Sequence, residues 1–513
     1  MWARHRLEWI TAGVAAALGG AYLALPRMGS DLAAQTARAG FFAEHGYTPV
    51  DLRWYGGVDQ LGYSLLAQPV MALLGVRVAG VLAVIATAAL LAVLFRRTGA
   101  PRPCAGALLG AVCVAGNLVS GRVTYALGVC LGVCALVALT SPRLRLLAAV
   151  PALLAAATSP VAGLFVGLAG AALLLAGRIR DGLTIAVPAA VPLVLNAGLF
   201  GDGGWMNISH ADATRAVAAS LLVAVLVPRR PVRVAGVLSA LGVLGADLIH
   251  TPVGLNATRL SVMFALPVLA AYTVLPARGR PPRPVPVWFL VPLLVGACVL
   301  QLPVVVRDVA DIGNPTADRA YFAPLVDRLG QERLVGRVEI PSTRDYWEAA
   351  YLGDVPLARG WLRQADIDRN PLFFTTVPGA AGTGVTLNAG SYRSWLAEQA
   401  VQFVAVPDAE LTWSGRPEAE LIDAGLPYLT PVWRGAHWRL YAVADPQPIV
   451  AAPATLVART ATTLTIEAPA AADIRVRVRY YRWLKSSGGA VVRPAGVWTL
   501  LRVPAPGRYT LTS

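Results

Sequence analysis

VRVAGVLAVIATAALLAVLFRR, residues 76–97, decides the class of this chain. From Val76 to Phe95 only Arg77 interrupts an apolar run, and about 20 such residues span the hydrocarbon core of a bilayer. The run stops on Arg96 and Arg97, with Arg102 just beyond, and arginine at the end of a span marks the cytoplasmic side. The whole composition agrees: 56% of residues are hydrophobic, 14% are charged and the mean hydropathy is +0.58, against about 25% charged in a soluble domain. The chain therefore reads as an integral membrane protein. Its net charge of +15 is carried by loops between apolar runs, which fits the positive-inside rule and removes nucleic acid as a partner.

Outward from residues 76–97 the same ruler gives about eleven transmembrane helices: 7–25, 76–95, 104–120, 123–139, 146–157, 161–176, 183–199, 213–227, 234–249, 260–275 and 287–306. Every second loop is rich in arginine: Arg96 and Arg97, Arg143 and Arg145, Arg178 and Arg180, Arg229 and Arg230, then Arg278, Arg280 and Arg283. That alternation, with Arg4 and Arg6 before the first run, sets the N-terminus inside and the C-terminus outside. No small-residue cleavage site follows the first run, so it reads as a retained helix. Residues 62–74 are apolar but too few to cross, and read as a re-entrant or interfacial segment. Run 146–157 is short and holds Pro151; without it the arginine alternation after it would invert. All five cysteines lie in apolar runs, which excludes a disulfide framework or a zinc site outside the membrane.

Three regions follow. Residues 1–306 form a membrane domain whose first outer loop is 27–62. Residues 307–446 have the composition of a soluble extracytoplasmic α/β domain, with helical periodicity at 321–329 and 391–399 and buried strands at 338–340, 401–406 and 438–443. Residues 447–513 alternate polar and apolar positions between Pro and Gly clusters, the pattern of a small β-sandwich. Arg475, Arg477 and Arg479 share one face of a strand there, either simply solvated or set against anionic lipid or glycan.

The first outer loop carries the densest chemistry. Asp31 follows the first span, and Asp31, Gln35 and Arg38 share a face if the loop opens into a helix. A carboxylate there can take the proton of an acceptor hydroxyl, or it can simply cap that helix. Arg122, in a tight turn between two spans, and Arg259, at the start of another, are placed to meet a phosphate at headgroup depth or to pair with an acid. Arg53 is a third such cation. Trp54 and Tyr55 could stack on a sugar or sit at the interface as aromatic residues do. His250 is a possible base, and no spacing of His and acids supports a metal, so no cofactor is expected.

With these residues in view, the chain resembles the GT-C superfamily of polyprenyl-phosphate-sugar glycosyltransferases: an acid just after helix one, a short re-entrant stretch, and a large outer C-terminal region. The stretches Gly29-Ser30-Asp31-Leu32, Trp54-Tyr55-Gly56-Gly57, Gly121-Arg122, Thr343-Arg344-Asp345-Tyr346-Trp347-Glu348 and Leu357-Ala358-Arg359-Gly360-Trp361 are similar to a largely uncharacterised group of actinobacterial integral membrane proteins. The resemblance implies a plasma-membrane enzyme that transfers a sugar from a polyprenyl-phosphate donor to an envelope glycan or glycolipid on the outer face, with inversion. It implies Asp31 as general base, Arg122, Arg259 and Arg53 at the donor phosphate, and Gln35, Arg38, Trp54, Tyr55, His250, Arg344, Asp345 and Trp347 on the substrates. Relatives with paired acids in the first loop sometimes hold a divalent metal, whereas Asp31 stands alone until Glu44. Two other readings compete: a secondary transporter or flippase of lipid or glycan, and a non-catalytic envelope-assembly scaffold. Transporters carry midplane ionisable groups and internal repeats; here the charges lie at span ends and no repeat is seen.

Overall fold

The computed structural model describes residues 5–275, 283–382 and 384–513. Arg4, Arg278 and Arg280 of the arginine alternation lie outside them. Two compact units emerge, one of Met1–Gln35, Gly62–Gly201 and Trp205–Gly313, the other of Thr36–Leu61, Asp202–Gly204 and Asn314–Ser513. The division falls inside the helix Leu32–His45.

The first unit is helical, and each apolar run read from the sequence contains a helix, although the last run, 287–306, is helical only over Val287–Leu300. Among the described residues five segments are long and apolar enough to cross a membrane: Arg6–Ala24, Val76–Arg97, Ile179–Leu199, Arg230–Leu248 and Gly254–Tyr272. Pro103–Val119, Val123–Leu139, Leu146–Thr158, Pro160–Leu175 and Val287–Leu300 are apolar but shorter. The doubtful run around Pro151 is indeed helical: a single 3-10 turn at Leu146–Ala148 leads into Ala149–Thr158, whose Ala152, Ala155 and Ala156 are fully buried. Residues 62–74 make only the eight-residue helix Ala67–Leu74, ended by Gly75 at a φ of 81°, too short to span.

Hydrophobic force does not hold helices together in lipid, so close backbone approach through small residues has to. Pro160–Leu175 meets Ile179–Leu199 at Gly170 and Gly182, where a Cβ on Gly182 would lie 2.6 Å from the carbonyl oxygen of Gly170. Val76–Arg97 packs on Arg6–Ala24, Pro103–Val119 and Val123–Leu139 around Ala88, Ala92, Ala107 and Ala111. Large apolar side chains such as Leu146, Val194, Val225 and Trp288 point outward, the inverse of a soluble core and the surface a bilayer covers.

The second unit holds a four-stranded sheet in the order Arg337–Glu339, Val401–Pro407, Trp438–Val443, Leu429–Arg434, with the first pair parallel and the others antiparallel. Helices Ala323–Gly330, Ala389–Glu398 and Arg416–Asp423 accompany it, the second opened by a capping box of Asn388 and Ser391. The last stretch forms two antiparallel sheets. One runs Lys485–Ser486, Gly507–Thr512, Thr463–Ala468, Thr455–Arg459; the other runs Ala472–Arg479, Trp498–Val503, Val491–Ala495. Ile466 and Leu511 of one and Val476 and Leu501 of the other share a single apolar core.

Candidate functional site

In the first unit two loops lie backbone against backbone, and two glycines allow it. Gly29 has φ +105°, and a Cβ there would sit 2.3 Å from the carbonyl oxygen of Val119; Gly121 has φ +72°, and its Cβ would sit 2.5 Å from the amide nitrogen of Leu32. Any larger residue at either position is both strained and in collision. Across this junction the Asp31 amide donates to the Ser120 carbonyl at 3.0 Å, and the Gly29 amide donates to Asp311 Oδ2 at 3.3 Å. The Asn117 side-chain amide holds the Arg122 carbonyl at 3.1 Å. These bonds fix Asp31 at the head of Leu32–His45 and Arg122 at the head of Val123–Leu139.

The carboxylate of Asp31 receives two guanidinium groups on one oxygen. Arg122 Nε lies 3.1 Å and Arg259 Nη2 3.3 Å from Oδ2. Arg259 opens the helix Arg259–Tyr272 after a 3-10 turn, and its guanidinium lies 5.4 Å over the ring of Tyr125. Asp31 keeps 31% of its side chain exposed, against 21% for Arg122 and 15% for Arg259, so the cluster is reachable. Two cations meet one anion, and both arginines stand where the backbone amides at a helix start add positive partial charge. Further along, Gln35 is buried and accepts from Thr124 Oγ1 at 2.5 Å.

Of the other sequence-derived candidates, His250 also belongs to the first unit, where it stacks on Trp205 with ring centroids 3.8 Å apart. The rest lie in the second unit and are engaged in packing. Arg53 is chelated by Asp51, with Nη2 to Oδ2 at 2.7 Å, and sits over the rings of Phe41 and Trp54. Arg38 is buried and donates to the Gln60 carbonyl at 2.8 Å. Trp54 and Tyr55 are core residues; Tyr55 donates its hydroxyl proton to the Gly360 carbonyl at 2.6 Å, leaving no face for a sugar. Arg344 pairs with Glu410 at 2.7 Å, Asp345 is buried, and Trp347 stacks on Tyr351 at 5.0 Å. Arg475 pairs with Glu398, while Arg477 and Arg479 donate to the carbonyls of Pro448 and Tyr55, so that row of arginines is largely tied down within the unit.

The second unit contains an ionic cluster that sequence reasoning did not find. Arg359 is buried among Asp366, Glu418 and Glu339 at 2.9, 3.0 and 3.5 Å, with Phe373 4.0 Å beneath its guanidinium. Tyr392 donates to Glu418 at 2.8 Å, and Asn370 to Asp366 at 2.8 Å. Burial pushes the Glu418 carboxyl up to about 7 and Glu339 well above the carboxylate range, Glu339 further raised by the neighbouring Glu418 charge. One proton held between these two glutamates lets a single arginine serve three acids. The only signal in the sequence was the position of Arg359 in the Leu357–Trp361 stretch.

Fold and site together define a membrane protein with several apolar helices, a β-sheet C-terminal region and an acid gripped by two arginines. No protein-family model matches the chain, and no curated protein matches it significantly. Among solved structures it is similar to the cryo-EM structure of the arabinofuranosyltransferase AftD from Mycobacteria, at 18% identity and TM-score 0.44, over 86% of this chain and 40% of that one. A mutant of the same protein gives 18% identity and TM-score 0.44 over 86% of this chain and 42% of its own. The chain thus spans less than half the length of these structures. Among the described residues no group of three or more His, Cys, Asp or Glu side chains is arranged to hold a metal.

Proposed function

We propose that this chain is a plasma-membrane glycosyltransferase of the cell envelope, moving a sugar from a polyprenyl-phosphate donor to a glycan or glycolipid acceptor with inversion on the outer face. The observation that supports it most is the meeting of Arg122 and Arg259 on one oxygen of Asp31. Arginine forks suit phosphate oxygens better than any other side chain. Both bonds go to Oδ2, which leaves Oδ1 to take the proton of an acceptor hydroxyl. In this reading the donor phosphate shares the guanidinium groups with Asp31, Gln35 and His250 lie on the acceptor side, and no metal takes part. The N-terminus is cytoplasmic, the eleven helices cross the membrane, and the C-terminal α/β and β-sandwich regions lie outside. The remaining candidates of the second unit serve its packing.

A deletion strain complemented with Asp31→Asn tests the reading. Envelope glycans and lipid-linked sugars should match those of the deletion while the variant reaches the membrane at wild-type level. Wild-type glycans in that strain would refute it.

A further inference from the structure

The segment after the last apolar helix returns two acids to the first unit. Asp311 accepts from the Gly29 amide, as described. Asp308, on the short helix Val306–Val309, is 3% exposed and lies against Ser30 and Ser120, the residues that flank Asp31 and Arg122 in sequence. Asp308 Oδ2 and the Ser120 hydroxyl beside it are buried and make no more than an imperfect bond to each other, and the hydroxyl of Tyr125, which lies under Arg259, is buried without a partner. Buried polar atoms without well-formed bonds are rare in native proteins, and three of them around one ion cluster call for a ligand or ordered water.

We propose that Asp308 is a second acid of the Asp31 site, offering its Oδ2 to the phosphoryl group that Arg122 and Arg259 receive. This assignment rests on the glycosyltransferase reading and adds a residue to it. Burial raises the Asp308 carboxyl above its ordinary range, the Asp31 charge raises it further, and Arg122 and the two serines pull the other way. The raised value extends the pH range in which Asp308 is neutral, and a neutral acid can donate to an anion where a carboxylate would repel it. During transfer the acceptor hydroxyl oxygen forms a bond to the anomeric carbon and gives its proton to Asp31. The bond from that carbon to the phosphate oxygen breaks, its electron pair stays on the phosphate, and the O–H of Asp308 hydrogen-bonds the departing oxygen without giving up its proton. Arg122 and Arg259 hold the remaining charge.

The test is binding of a sugar-free polyprenyl monophosphate to the full chain in lipid nanodiscs across pH. Asp308→Ala should weaken binding by about tenfold, the scale of one hydrogen bond to a charged group. Asp308→Asn, whose amide still donates, should bind like wild type at acid pH. Wild-type affinity should fall relative to Asp308→Asn as pH rises and Asp308 ionises; the Asn variant controls for titration of the phosphate itself, near pH 6. Equal binding by wild type and Asp308→Ala at every pH would overturn the assignment of Asp308 alone. So would an Asn variant as weak as Ala with no pH dependence, which is the mark of a purely structural clamp on the Gly29–Asp31 turn. A wild-type chain that binds no polyprenyl phosphate would remove the donor reading, and Asp308 with it.

Discussion

Two ionic clusters divide this molecule's charged chemistry, and they are built on opposite ratios. In the first unit two arginines share one acid, part of which stays exposed, and nearby buried hydroxyl and carboxyl oxygens lack well-formed hydrogen bonds. In the second unit one arginine, 2% exposed, is surrounded by three acids; Asn370 donates to Asp366 and Tyr392 to Glu418, Ser414 accepts from the arginine, and the two oxygens of Glu339 have the ion pair but no well-formed hydrogen bond. The second arrangement is closed to solvent, and Arg359 is fully engaged by its three acids. The first has surplus cation and open hydrogen-bonding capacity. Density of charge therefore says little about function here, and what separates the two is which sign is in surplus and whether solvent reaches it.

The comparison is broken most forcefully at Arg359. Arg359→Met leaves three acids buried without their cation and should cost about 3–5 kcal/mol, read as a lower denaturant midpoint. A near-neutral result would mean the cluster is not closed. Next in size, Arg122→Lys or Arg259→Lys replaces a planar fork by a point charge, and should raise the apparent KM for donor by about tenfold, with the melting temperature close to wild type. An unchanged KM in both variants would separate these arginines from the phosphate.

A smaller effect follows from protonation in the second unit. Burial pushes the folded-state values of Glu418 and Glu348 up to about 7, from the 4.5 of a free glutamate. Between those limits the folded form binds more protons than the unfolded one, so stability is greatest below pH 4.5 for these groups and declines as pH rises toward 7. Glu418→Gln should flatten this decline, and chemical denaturation at a series of pH values would reveal it; an identical slope in the variant would contradict it. Smallest of all, His250→Ala removes a stacked, exposed ring and should shift the melting temperature little, within about 0.5 kcal/mol of stability.

The helices were readable because apolar runs of this length allow little else, and even the short run at Pro151 followed from arginine parity. Asp31, Arg122 and Arg259 were readable as charges at the ends of apolar runs; their convergence was not, because it depends on Gly29 and Gly121 letting two loops touch. Asp308 escaped notice because it sits just past the last apolar run, where the composition already looks like that of the C-terminal region. Trp54, Tyr55 and Arg53 show the opposite failure. An aromatic–arginine stretch beside a membrane suggests sugar stacking, yet one chain without its fold does not reveal that Asp51, Gly360 and Phe41 already occupy those groups. The dense Thr343–Glu348 motif likewise turned inward, with the Thr343 hydroxyl and amide both donating to Glu348.

Sugar transfer by Asp31→Asn, measured alongside thermal unfolding, is the decisive experiment for a catalytic Asp31. The full chain would be reconstituted in nanodiscs and supplied with a polyprenyl-phosphate sugar and a cell-envelope acceptor. Transfer should fall by about 10²-fold or more, the scale of a lost general base, while unfolding stays close to wild type. Transfer at the wild-type rate by a folded Asp31→Asn chain would contradict it.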